Sequence, residues 1–253
     1  MPRFLWLVGG TSESIAIASY LSAYGLNWLA TVTTPRAAKQ YAEWPGRAEV
    51  VVLNESTAID WAQNHSLSAI VDASHPFATH ISQVAIATAR TLDIPYLRYE
   101  RPRILLAPET ILLPDFPALL QEHHLDKRRV LLTTGVKSLT LFRNWHQRSQ
   151  LWVRILPTER SRTAAIAAGF PPERLIAQQL PIERASEQEL WRSLAIDTVV
   201  TKAAGVEGGL DVKQEVARDL GVKLIAIDRP AMTYPRQTSH VEGVLAFCQT
   251  VAN

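Results

Sequence analysis

The chain has 253 residues, of which 47% are hydrophobic and 20% are charged, a composition typical of globular proteins. Its formal net charge is only +2 and it carries no polybasic tail, which argues against a nucleic-acid-binding protein. Cys248 is the single cysteine, so an intrachain disulfide is excluded and a cysteine-based zinc site is disfavoured.

The apolar stretch at residues 4–8 is too short for the hydrophobic region of a signal peptide, and it runs directly into glycines. No apolar run approaches the roughly 20 residues needed to cross a bilayer. We therefore expect a cytoplasmic protein that binds neither membranes nor nucleic acid.

Strands and helices alternate through the first hundred residues. Apolar runs predict strands at 3–8, 28–33, 49–53, 69–73 and 95–99. Helical spacing and helix-start signals predict helices at 12–24, 35–44, 56–65 and 76–92. Apolar strands separated by helices are typical of a parallel sheet covered on both faces, so we predict a doubly wound α/β domain.

Prolines interrupt residues 101–117, which we interpret as the connection to a second domain. Beyond it, strands are predicted at 129–133, 151–156, 175–178, 198–201 and 223–227. The predicted helices of this half are 137–145, 162–168, 187–194, 211–220 and 241–251. The fold prediction is therefore two Rossmann-like doubly wound domains, residues 1–104 and 105–253, with a cleft between them.

Ligands of open α/β sheets bind beyond the carboxyl ends of the strands, so polar residues directly after predicted strands are the candidates. In the first such loop, Gly9 and Gly10 permit close approach of a ligand, and the helix that starts after Thr11 offers N–H groups to a phosphate. The spacing is not G-x-G-x-x-G, and a tight turn with an ordinary helix cap is an equal alternative.

The segment after the second predicted strand contains no acidic residue for a ribose 2′-hydroxyl. It contains Arg36 and Lys39 instead, which suit the 2′-phosphate of NADPH. The alternative is that both are solvated helix charges.

The fourth predicted strand is followed by Ser74 and His75. A histidine here can hydrogen-bond a substrate carboxylate or transfer a proton, although a lone histidine is more often structural. His75 and His80 are poorly spaced for a shared metal, and we predict no metal site.

The second half repeats the glycine-loop pattern after two of its strands. Backbone N–H groups in such loops and a lysine charge suit a phosphate or carboxylate. The alternative is a mobile glycine loop. The candidate cofactor contacts here are Thr133, Thr134, Gly135, Lys202, Gly205, Gly208 and Gly209.

Three arginines are candidates for binding an anionic substrate. Arg98 and Arg101 lie at the end of the fifth predicted strand, and Arg154 lies inside a strand, where a charge needs a partner. Salt bridging at the domain junction is the alternative.

Taken together, "LVGGTSES", "VDASHPFA", "PYLRYERP", "LLTTGVKSL", "RILP", "TKAAGVEGGLDVK" and "AIDRP" resemble the ordered motifs of precorrin-6A reductases over residues 5–230. The resemblance implies an NADPH-dependent enzyme of cobalamin biosynthesis. Such an enzyme reduces one double bond of an anionic tetrapyrrole, with or without cobalt, by hydride transfer in the cleft, and other corrin-pathway enzymes are potential partners.

One segment departs from the family pattern. Many members have Lys-Asn-Ser-Gly where this chain has Lys202, Ala203, Ala204 and Gly205. The side-chain contacts of the family's Asn and Ser are therefore lost at positions 203 and 204. His75 is the candidate proton donor. A non-catalytic NADP(H)-binding sensor or carrier on the same scaffold is the alternative function.

Overall fold

The computed structural model describes residues 3–121, 123–179 and 181–252. The chain forms two compact units. Unit 1 comprises Met1–Pro102 and Ala231–Asn253, and unit 2 comprises Arg103–Pro230.

The first part of unit 1 has the predicted alternation, with a shorter second helix and third strand. Side-chain caps begin three of its helices: the Thr11, Thr34 and Asn54 side chains accept hydrogen bonds from N–H groups of the first turn. The elements are β1 (Phe4–Val8), α1 (Ser12–Ala23), β2 (Trp28–Val32), α2 (Pro35–Lys39), β3 (Ala48–Val50), α3 (Glu55–Asn64), β4 (Leu67–Asp72), α4 (Thr79–Leu92) and β5 (Tyr96–Tyr99).

Unit 2 also has the predicted alternation, preceded by a short strand and helix that the sequence did not predict. Its elements are β6 (Ile111–Leu113), α5 (Phe116–Gln121), β7 (Arg129–Leu132), β8 (Gln150–Ile155), α6 (Glu159–Ala167), β9 (Leu175–Ala177), α7 (Arg184–Ser193), β10 (Thr198–Lys202), α8 (Leu210–Leu220) and β11 (Lys223–Ile227). Three 3-10 helices cover Val136–Trp145, Pro172–Arg174 and Val206–Gly208. The chain ends with β12 (Gln237–Thr238) and α9 (Val241–Ala252).

Each unit contains a six-stranded parallel sheet, and the two sheets have matching strand orders. Unit 1 has the order β12-β5-β4-β1-β2-β3, and unit 2 has β6-β11-β10-β7-β8-β9. In each sheet the chain winds outward from a central strand in both directions, so the order reverses between β1 and β4 and between β7 and β10. The predicted α/β class is confirmed, and these two switch points are where ligands bind in such sheets.

The predicted domain boundary at the C-terminal end differs from the structure. The sequence predicts one domain over residues 105–253, but β12 pairs with β5, and Val244, Phe247 and Cys248 of α9 are buried in the core of unit 1. Conversely, β6 follows β5 in the chain yet pairs with β11. The chain therefore enters unit 2 once and returns, which the proline-rich segment alone did not reveal.

Packing of helices against the sheets follows the apolar faces of the sequence. In unit 1, Ile17, Ala18 and Leu21 of α1 are buried against β1 and β2 residues such as Leu7. Each large aliphatic side chain buried in this way stabilises the fold by about 1.5–3 kcal/mol. Among the described residues, no helix has the length and apolarity needed to cross a membrane.

Candidate functional site

The switch point of unit 1 joins the loop after β1 to the loop after β4. The Thr11 hydroxyl donates to the carbonyl of Ala73 at 2.8 Å and accepts from the Ser14 N–H at 3.1 Å. One side chain therefore caps α1 and ties together the two loops that carry the predicted residues Gly9, Gly10, Ser74 and His75.

The glycine loop of unit 1 satisfies most of its own donors. The Ser14 hydroxyl accepts from the N–H groups of Gly10 at 3.1 Å and Thr11 at 3.0 Å. The Tyr41 hydroxyl lies 2.7 Å from the same Ser14 oxygen and accepts from Gly10 at 3.3 Å. Gly9 faces Tyr41 so closely that a β-carbon would overlap the hydroxyl. Burial raises the pKa of Tyr41, so the group is a neutral hydrogen-bonding phenol, and the loop forms a compact turn with its donors already engaged.

Ser74 and Arg98 belong to a buried network around Asp72, at the end of β4. The Asp72 carboxylate accepts from Arg98 Nη1 at 2.9 Å, from Ser74 N–H at 3.0 Å and from the Tyr96 hydroxyl at 2.8 Å. Arg98 also donates to Ser74 Oγ at 3.0 Å and to Glu100 at 2.8 Å. Arg98 is 1% exposed. The Arg98 guanidinium therefore holds the loop after β4 in place. Its carboxylate partners are Asp72 and Glu100 of the same chain.

The His75 ring is held in a defined tautomer. The backbone N–H of Phe77 donates to His75 Nδ1 at 3.2 Å, so Nδ1 is an acceptor and the neutral ring carries its proton on Nε2. His75 is half-buried and its ring lies 5.9 Å from that of Phe77, centroid to centroid. This arrangement makes Nε2 a donor.

The other two predicted arginines have carboxylate partners. Arg101 forms an ion pair with Glu13 in the first turn of α1. Arg154, on β8, is 7% exposed and donates to both Glu187 oxygens at 2.6 and 2.5 Å. Glu187 also accepts from Trp191 Nε1 at 2.9 Å. The sequence indicates that Arg154 needs a partner, and Glu187 of unit 2 is that partner.

The two basic residues proposed for a 2′-phosphate, Arg36 and Lys39, are exposed on α2 of unit 1. The helix is only five residues long, Pro35–Lys39, and its cap is the Thr34 side chain. Both residues lie beyond the carboxyl end of β2, as predicted.

The switch point of unit 2 has a different character, because three of its helix starts lack a side-chain cap. Gly135, Gly205 and Gly209 precede helices with no capping hydrogen bond, and all three have positive φ, at 79°, 86° and 65°. Within the described residues, the N–H groups of Gly205 and Val206 have no acceptor. These donors are available to water or a ligand.

The two threonines of the predicted set lie at the end of β7. Thr133 donates to the Val200 carbonyl at 3.1 Å, across to β10. Thr134 is 2% exposed, and its hydroxyl lies 2.8 Å from that of Ser138. They brace the start of the loop that contains Gly135.

Two lysines lie at the same switch point of unit 2. Lys202 ends β10, and Lys137 lies in the 3-10 helix after β7. Burial, and to a lesser extent the neighbouring Lys137 ammonium, lower the pKa of Lys202 to about 8. Both ammonium groups lie at or after the ends of neighbouring strands of the sheet, so they add positive charge at this end of the strands.

Sequence reasoning missed Lys213, whose ammonium contacts the glycine loop of unit 2. Lys213 is 2% exposed on α8 and donates to the carbonyls of Gly208 at 2.7 Å and Gly209 at 3.0 Å. A signal existed, since residue 213 falls on the same helix face as Leu210 and Val216, where an apolar residue is expected.

Comparison with known proteins identifies the family to which this fold belongs. The family model described as precorrin-6x reductase CbiJ/CobK matches residues 4–249. The chain belongs to this family. The CbiJ/CobK family membership makes the protein an oxidoreductase of the precorrin-6A reductase type, so the alternative of a non-catalytic sensor is set aside.

Individual relatives agree with the family. The chain is 41% identical to a cobalt-precorrin-6A reductase of Synechocystis sp., covering 97% of this chain and 95% of that protein. It is 32% identical to a cobalt-precorrin-6A reductase of Priestia megaterium, covering 94% and 95%. A solved structure titled CobK precorrin-6A reductase superposes with a TM-score of 0.80 at 24% identity, over 99% of this chain and 97% of that chain. The CbiJ/CobK fold is thus shared along the chain.

Proposed function

We propose that this protein reduces cobalt-precorrin-6A with NADPH during cobalamin biosynthesis. The support for the cobalt-containing substrate is that the relatives at 41% and 32% identity are both named cobalt-precorrin-6A reductases. The observation that carries the site is the pair of uncapped glycine loops flanked by Lys137 and Lys202 in unit 2.

The donor set of unit 2 fits the phosphates of a dinucleotide better than that of unit 1 does. In unit 1, the N–H groups of Gly10 and Thr11 already bond to Ser14. In unit 2, Gly205 and Val206 retain N–H donors, and Lys202 provides charge beside them. Phosphate oxygens bind best where backbone donors and a cation converge at a strand end.

We therefore assign the nucleotide phosphates to the loops after β7 and β10, with contacts from Gly135, Gly205 and Lys202. When bound, NADPH supplies a hydride to one carbon of the macrocycle double bond. The chain positions the phosphates, and through them the rest of the cofactor. Arg36 and Lys39 become exposed charges of α2 with no part in the site.

Reduction of a double bond also requires a proton at the second carbon. His75 is the proposed donor in its imidazolium form: protonation of Nδ1 from water breaks the hydrogen bond from Phe77, and the ring then gives its Nε2 proton to the carbon and becomes neutral. Ser74, whose hydroxyl is held by Arg98 at 3.0 Å, fixes the loop on which His75 lies. After the transfer, the ring is reprotonated from water.

The reaction is tested by incubating purified protein with NADPH and either cobalt-precorrin-6A or metal-free precorrin-6A under anaerobic conditions. The expected result is loss of cofactor absorbance at about 340 nm with the cobalt substrate. Turnover with the metal-free substrate alone would overturn the cobalt assignment, and no turnover with either would overturn the function.

The nucleotide site is tested separately by binding measurements. We expect Lys202→Met to weaken NADPH binding by about tenfold, the loss of one charge-assisted hydrogen bond. The matched control is the double variant Arg36→Ala/Lys39→Ala, which is expected to bind NADPH and NADH as the unaltered protein does. The reverse pattern would move the nucleotide to unit 1.

A further inference from the structure

Lys213 is a charged residue where the helix needs an apolar one. The buried positions of α8 are Leu210, Lys213, Val216 and Ala217, the inward face of an amphipathic helix. A lysine at such a position is buried almost completely, at 2% exposure. Local rules of this kind are broken mainly at functional sites.

The ammonium of Lys213 is directed at the loop between β10 and α8. It donates to the Gly208 carbonyl at 2.7 Å and to the Gly209 carbonyl at 3.0 Å. Gly209 has a φ of 65° and provides no side-chain cap for the helix. Lys213 thus fixes the backbone at a point where glycines would otherwise leave it many conformations.

Charges on three neighbouring elements face this ammonium. Glu187 of α7 and Asp211 of α8 stabilise its charged form, whereas Arg154 of β8 disfavours it. Burial has the largest effect, and it lowers the pKa of Lys213 to about 8. Glu187 is itself held by both terminal nitrogens of Arg154 and by Trp191, so the carboxylate that faces Lys213 is fixed in place.

We propose that Lys213 is a positioning residue that holds the Gly205–Gly209 loop in its anion-binding conformation. This inference rests on the proposed nucleotide site for its consequence, since the N–H groups of Gly205 and Val206 lie in the held loop. Within the described part of the chain, the ammonium of Lys213 donates its hydrogen bonds to the loop carbonyls of Gly208 and Gly209, so it acts on the affinity for the cofactor and not on the chemical step.

The test compares Lys213→Met, which fills the same space without donors, with Val216→Ala, which opens a cavity on the same helix face away from the loop. We expect Lys213→Met to speed amide hydrogen exchange of residues 204–210 in the cofactor-free protein. We also expect NADPH affinity to fall about tenfold while kcat at saturating NADPH stays within about twofold. Val216→Ala is expected to lower the urea midpoint without changing loop exchange or NADPH affinity. Lys213→Leu, which also lacks donors, provides the same test if the methionine variant does not fold.

Unchanged loop exchange in both Lys213 variants overturns the positioning role. The same is true if kcat falls while NADPH affinity is constant. Faster loop exchange with unchanged NADPH affinity would support the positioning of the loop by Lys213. It would contradict the proposed effect of that positioning on NADPH binding. In that case Lys202→Met decides whether the nucleotide site is also wrong, because that variant leaves Lys213 in place.

Discussion

The hydroxyl of Thr11 donates a 2.8 Å hydrogen bond to the carbonyl of Ala73, and so joins two loops that are 62 residues apart in the chain. The bond spans the switch point of unit 1, from the end of β1 to the end of β4. The same hydroxyl caps α1.

Replacing Thr11 with valine removes both hydrogen bonds at nearly constant volume. We expect a loss of about 1–2 kcal/mol in the free energy of unfolding, measured by urea denaturation. Thr11→Ser keeps the hydroxyl and should retain most of that stability. Thr34→Val removes a helix cap without a cross-loop bond, so an equal loss there would show that the Ala73 contact contributes nothing.

Gly9→Ala is expected to destabilise unit 1 through overlap with the Tyr41 hydroxyl, at a cost of about 1–3 kcal/mol. The φ of Gly9 is not positive, so the cost is steric. In a Tyr41→Phe background the cost should shrink, giving a measurable coupling free energy in a double-mutant cycle. Gly10→Ala is the control, because its strain comes from a φ of 100° in open space and should be the same in both backgrounds.

The affinity for NADPH is expected to fall as the pH rises through about 8. The pKa of Lys202 is lowered to about 8 by burial and by Lys137, so the charged form that attracts a phosphate is present below that pH and is lost above it. Lys202→Arg stays charged and should shift the fall to higher pH in fluorescence titrations of NADPH. If Lys202→Met retains the full pH dependence, another group is responsible.

His75→Asn keeps an acceptor near the Phe77 N–H but has no donor at the Nε2 position. We expect kcat to fall by about a hundredfold or more, as is typical when a general acid is removed. The Kd for NADPH and the urea midpoint should stay near their original values. A kcat within a factor of two of the original would exclude His75 as the proton donor.

Arg154→Met should destabilise unit 2 by about 3–5 kcal/mol, because it leaves the Glu187 carboxylate buried without its main partner. The double variant Arg154→Met/Glu187→Leu removes both charges and should recover much of that loss. We expect the KM for the tetrapyrrole to be unchanged in the double variant. A large rise in KM would restore Arg154 as a substrate contact.

The alternation of strands and helices was predictable because long elements carry strong periodicity. Helix α1 begins directly after Thr11, as predicted, and β11 has an unbroken apolar run after Lys223. The edge strands β6 and β12 were missed because they are only three and two residues long. Strands of that length have no measurable pattern, and only their partners β11 and β5 define them.

The candidate site was predictable as a set of loops but not as a set of contacts. The glycines and Lys202 follow predicted strands in the sequence, which places them at the carboxyl ends of strands, but the switch points depend on the strand order and could not be located from it. The N–H donors of the Gly9–Gly10 loop are occupied partly through Tyr41, which is 27 residues from its partner Ser14. Likewise, Arg98 is neutralised by Asp72, 26 residues away. Local sequence cannot distinguish a ligand-binding arginine from one with a distant carboxylate partner.

The return of residues 231–252 to unit 1 has a consequence for synthesis on the ribosome. Unit 2 is contiguous, Arg103–Pro230, and all of its strands emerge before the chain is finished. Unit 1 emerges first but lacks β12 and the buried α9 residues Val244 and Phe247 until residues 231–252 are translated. At ordinary elongation rates its open sheet edge and uncovered apolar surface wait on the order of ten seconds for completion. The half of the enzyme that is made first is therefore the half that is finished last.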